Sequence, residues 1–158
     1  MEDLKKKVIK EIVENFYREA VKDFLIGYHF RKIQETPSEK ILYPELSAFS
    51  KHIPRIIKFW EIQLIGSSKD SKKTQHEKPF NLISSHAYLN IRKGELHRFT
   101  LLFDQTIEAF RNEKRNLTKG EVDLIEKWKE KLSFFTRKTS HKRCFLITDI
   151  AANLPLSV

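Results

Sequence analysis

The chain reads as an all-α domain, and three observations predict it. Apolar residues recur at helical spacing through four long stretches. The four glycines, Gly27, Gly66, Gly94 and Gly120, each fall at an end of such a stretch, where helices stop and start. Strand-like alternation is nearly absent, the nearest to it being "RCFLITDI" close to the C-terminus.

The first helix is expected from about Asp3 to Ile26, with Ile9, Ile12, Val13, Phe16, Ala20 and Phe24 on one face. The second follows Ser50, a plausible N-cap, and ends near Gly66; Pro54 is tolerable because it lies in the first turn. The third follows Gly94 and carries Leu96, Phe99, Phe103, Ile107 and Phe110. The fourth opens on a capping box, Thr118 with Glu121, and carries Leu124, Trp128, Leu132 and Phe135. The connection over residues 31–49 holds Pro37 and Pro44 and reads as irregular, and residues 66–79 as a polar, lysine-rich loop.

The 158 residues suit one domain with a substantial core, and 40% are hydrophobic, with 12 Phe. A single cysteine, Cys144, excludes an internal disulfide and a cysteine metal cage, and fits a reducing cytoplasmic setting. Neither a signal peptide nor a membrane span is expected, so the protein should be soluble. Thirty Lys and Arg against 21 Asp and Glu give a net charge of +9, which favours anionic partners. The densest basic run, "TRKTSHKR", comes with no nucleic-acid motif, so a nucleic acid is not the expected partner. Nucleophile triads, glycine-rich phosphate loops and flavin or nicotinamide sites are not visible, and whether the chain is an enzyme stays open.

The residues with chemical potential are Tyr17 on the first helix, Phe30 in "GYHF", His52 at the head of the second helix and His86 in "SSHAYLNI". His52 shares a helical face with Ile56, Phe59 and Trp60. It could point to solvent, overhang a bound group, or bind iron itself. Two separated histidines and a phenol facing a phenylalanine-rich helical interior point to a haem pocket. His29 and His97 read as surface residues, and His76 and His141 as solvated.

"ENFYREAVKDFLIGYHF", "KHIPRIIKFWEIQLIG" and "SSHAYLNIRKGELHRFTLLFDQTIEAF" resemble, in order, the truncated haemoglobins of group III. The resemblance implies a two-over-two helical sandwich holding one haem b over residues 1–137, with 138–158 a C-terminal extension. It implies His86 as the proximal iron ligand, Tyr17 and His52 over the distal ligand, and Phe30 against the haem. Ile56, Phe59 and Trp60 would wall the distal side, and Arg55 would pair with a propionate. Phe99 stands where the family usually has tryptophan, which removes an N–H donor. The implied function is binding of dioxygen or another diatomic gas, with nitric-oxide detoxifying or peroxidase-like chemistry if an outside electron donor serves it. Two rivals remain: a haem-free globin-fold sensor or interaction module, and a basic helical module for anionic partners.

Overall fold

A computed structural model describes residues 2–35, 44–66, 90–114 and 116–140, with side chains as far as residue 133. Among these residues the regular structure is helical and no strand occurs. The helices are α1 (Glu2–Ala20), α2 (Gly27–Lys32), α3 (His52–Leu64), α4 (Lys93–Glu113) and α5 (Lys119–Ser140), with a 3₁₀ turn at Leu46–Phe49 before α3. The two-part division at 137/138 falls inside α5, which runs on to Ser140. His86, the lysine-rich loop and the segment from "RCFLITDI" to the end lie outside the described residues.

Helix α1 is the centre of the packing: α3, α4 and α5 all lie against it, and α5 also packs on α4 and α3. Val8, Ile9, Ile12, Val13, Phe16, Tyr17 and Ala20 make its buried face. Each large side chain fully buried this way contributes about 1.5–3 kcal/mol. Facing them are Ile53, Trp60 and Leu64 of α3, Phe103, Ile107 and Phe110 of α4, and Leu124, Ile125, Trp128 and Leu132 of α5. At the centre, the Trp60 and Trp128 rings lie 5.0 Å apart, with Phe103 5.7 and 5.4 Å from them. The indole Nε1–H of Trp128 finds no acceptor among the described residues.

The first helix is shorter than its periodicity predicts. It ends at Ala20, and the chain turns before re-entering helix at Gly27. The cause is Asp23. Its Oδ1 accepts the N–H groups of Leu25 (2.9 Å) and Ile26 (3.1 Å), an arrangement that competes with continued helix. Its Oδ2 accepts Arg98 Nε (2.8 Å) and Nη2 (2.7 Å) from α4. Phe24, expected on the core face, is instead 95% exposed. Gly27 sits so close to the end of α1 that a Cβ there would come within 2.8 Å of the Val21 carbonyl oxygen.

Helix α3 begins at His52 as expected, but Ser50 is not its cap. The carboxylate of Glu35 accepts the Lys51 N–H at 2.9 and 3.0 Å and the Ser50 hydroxyl at 3.2 Å. Glu35 N–H in turn donates to the Ala48 carbonyl at 2.9 Å, tying the end of α2 to the 3₁₀ turn. At the other end Gly66, with φ +99°, closes α3 by donating to the Ile62 carbonyl at 3.1 Å. The capping box of α5 is present: Glu121 Oε2 accepts both the Thr118 N–H and its hydroxyl at 2.8 Å.

Candidate functional site

The residues singled out on α1, α2 and α3 come together. Tyr17 is 4% exposed and its ring lies 5.3 Å from Phe30, 5.7 Å from His52 and 5.8 Å from Phe49, all edge-to-face. Helical spacing brings Tyr17 here, one residue past Phe16 on the buried face of α1. The Glu35 cap fixes the N-terminus of α3 and so places His52. Burial pushes the Tyr17 phenol well above its ordinary pKa, so it stays a neutral O–H donor. His52 is only half-buried, which leaves it on the boundary between core and surface.

Phe16 links this group to the far side of the core. Its ring lies 6.0 Å from Phe30, 4.8 Å from Phe99 and 4.5 Å from Phe103. Helices α3 and α4 each pack on α1 and meet each other through Trp60 and Phe103. Ile56 and Phe59 on α3, and Phe99 and Leu102 on α4, stay half-buried at the edge of the core. Phe59 touches Trp60 (5.2 Å between centroids), and Phe99 touches Phe16 and Phe103, while no ring contact joins Phe59 to Phe99. Arg55 is exposed one turn beyond His52.

Trp60 does not share that edge. It turns inward, 5% exposed, against Trp128 and Phe103, so it is a core residue first. Phe49 belongs to the Tyr17 group although its sequence context, "SAFS" before α3, is too short to show a helical or strand period.

A second cluster lies between α2 and α4, and sequence reading missed it. His29, expected at the surface, is 5% exposed. Its Nε2 lies 3.0 Å from Glu95 Oε2, and its Nδ1 is buried without a partner among the described residues. The Tyr28 hydroxyl donates to Glu95 Oε1 at 2.5 Å, and the Arg92 N–H donates to Oε2 at 2.7 Å, the second of which also caps α4. Burial alone would raise the Glu95 carboxyl; the hydrogen bonds from Tyr28, Arg92 N–H and His29 outweigh it and bring the pKa from 4.5 down to about 2. His97, by contrast, is exposed as expected. It borders a shallow groove between α4 and α5, with Thr100, Leu101 and Lys129, that contains none of the Tyr17 group.

Among the described residues no three His, Cys, Asp or Glu side chains gather in a metal-binding set. Compared with family models, with curated proteins and with solved structures, the chain has no match.

Proposed function

We propose that this chain is a haem-binding, globin-type domain, a two-over-two sandwich that takes a diatomic ligand. The supporting observation is the meeting of Tyr17 and His52, from two different helices, with rings 5.7 Å apart beside Phe30. A buried phenol beside a half-buried imidazole, in an otherwise aromatic surrounding, would suit a flat apolar group with one polar reaction point. The side chains on this side are of the chemical kind that would hold haem. Phe30, Ile56, Phe59 and Phe99 would hold its faces, Arg55 would meet a propionate, and His86 would ligate the iron. Trp60 would act through core packing behind Phe59.

When bound, haem iron supplies the coordination position for dioxygen or nitric oxide. The protein's contribution is to orient and hold protons. Tyr17, kept neutral by burial, would supply an O–H donor to the bound ligand, and His52, half-buried beside it, would supply a second donor. In a water-poor site each such bond is worth about 1 kcal/mol or more. Phe99 adds apolar surface and no donor, so among the described residues slow ligand release would rest on Tyr17 and His52.

The test is the visible absorption spectrum of the purified full chain with haemin added, for the wild type, His86→Ala and Tyr17→Phe. The expected result is a strong Soret band that collapses or shifts in His86→Ala, with Tyr17→Phe still binding haem but releasing dioxygen about fivefold to tenfold faster. A wild type that takes up no haemin would sink the proposal.

A further inference from the structure

The turn between α1 and α2 presents Phe24, 95% exposed, and Leu25, 51% exposed, side by side. This is not a loose loop. Val21 and Ile26 on either side are each 2% exposed, and Asp23 locks the turn through two backbone N–H groups and Arg98. Two large apolar side chains are thus held outward by a buried scaffold.

The surrounding charge is uneven. Lys22, Arg31, Lys32, Arg92 and Arg98 belong to this corner, and three of them are exposed. Glu19 pairs with Lys22 at the surface and Asp23 with Arg98, while Glu95 is held by Tyr28 and His29, so the excess positive charge of the corner comes from Arg31, Lys32 and Arg92. The chain as a whole carries +9.

We propose that this corner docks the protein on an anionic phospholipid surface. Phe24 and Leu25 enter the boundary between headgroups and acyl chains, and the cations meet lipid phosphates. A folded protein partner would need a complementary patch of roughly 800 Å² on each side. Two side chains on a convex turn offer far less, whereas a fluid bilayer closes around a knob without a preformed pocket. No helix among the described residues is long and apolar enough to cross a membrane, so the contact is peripheral. It does not depend on haem.

The experiment is co-sedimentation of the full chain with vesicles of phosphatidylcholine alone and of phosphatidylcholine mixed with phosphatidylserine. The wild type is expected to pellet with the mixed vesicles and to stay in solution with the neutral ones. Phe24→Ser combined with Leu25→Ser should weaken partitioning roughly tenfold or more. Its far-UV spectrum should not change and its unfolding midpoint should shift little, because Phe24 is 95% exposed and Leu25 half exposed. Lys22→Ala combined with Lys32→Ala should also weaken binding and flatten its salt dependence. A wild type that never pellets overturns the proposal. So does a Phe24, Leu25 variant that binds as tightly as the wild type, which would indicate a charge-only surface of the kind nucleic acids use. Light scattering that shows a dimer lost in that variant, with no vesicle binding, would assign the knob to self-association instead.

Discussion

Replacing Glu95 by glutamine isolates the electrostatics that join α2 to α4. The carboxylate is shared by Tyr28, His29 and the Arg92 N–H. Its folded pKa lies below the unfolded one, so its contribution is complete above about pH 4.5 and is lost as the pH falls toward 2. Lowering a carboxyl from 4.5 to about 2 stabilises the folded chain by about 3 kcal/mol at most. The side chain keeps 13% exposure, and solvent screening brings a realistic figure to about 1–2 kcal/mol. Glutamine preserves the shape and one acceptor but not the charge. In urea unfolding followed by far-UV circular dichroism, Glu95→Gln should therefore trail the wild type by about 1–2 kcal/mol near neutral pH. At about pH 3 the gap should shrink by more than half, because the wild type has then lost most of the same contribution. Other carboxylates destabilise both proteins in acid, so the difference between the two is the quantity to read. A gap of equal size at both pH values, or none near neutrality, would refute the reasoning.

Asp23→Ala should cost about 2–3 kcal/mol, since it frees two backbone N–H groups and leaves Arg98 without its partner; thermal unfolding reads this directly. Gly27→Ala should destabilise by about 1–3 kcal/mol, because a methyl 2.8 Å from the Val21 carbonyl forces α2 away from α1. The expected sign is a lower urea midpoint, the reverse of the usual gain from removing a glycine. Trp128→Phe should fall within about 1 kcal/mol of the wild type, as relief of a buried N–H without an acceptor offsets the lost ring volume. A loss well beyond that would show that the indole N–H is satisfied in solution.

Periodicity was a good guide where the helix face alone decides burial. Leu96, Phe103, Ile107 and Phe110 on α4, and Leu124, Trp128 and Leu132 on α5, are buried as the spacing predicts, and the Thr118–Glu121 box opens α5. It failed where a side chain from elsewhere takes over the backbone. Nothing local announces that Asp23 will stop α1, because the choice is reinforced by Arg98 on α4. The α3 cap comes from Glu35 and not from the adjacent Ser50 for the same reason. His29 looked exposed because its partner, Glu95, lies on another helix. Tyr17, Phe30 and His52 stood out in the sequence as a phenol, a ring and an imidazole near helix faces, but their meeting depends on how three elements pack, and Phe49, which joins them, was not legible at all. His86, on which iron ligation would turn, lies outside the described residues.

The contact between Trp60 and Trp128 has a spectroscopic consequence. The chain has two tryptophans, and their rings lie 5.0 Å apart and tilted by 44°. Indole transitions held that close in a fixed, chiral arrangement couple to each other, so the near-ultraviolet dichroism should carry a paired signal from this one point. Because α3 and α5 contribute one ring each, the signal exists only while those two helices are docked. It should vanish when side-chain packing loosens, even where far-ultraviolet dichroism still reports intact helices. Any group entering along Phe59 would touch one member of the pair at second hand, through the ring 5.2 Å away, and would be registered there.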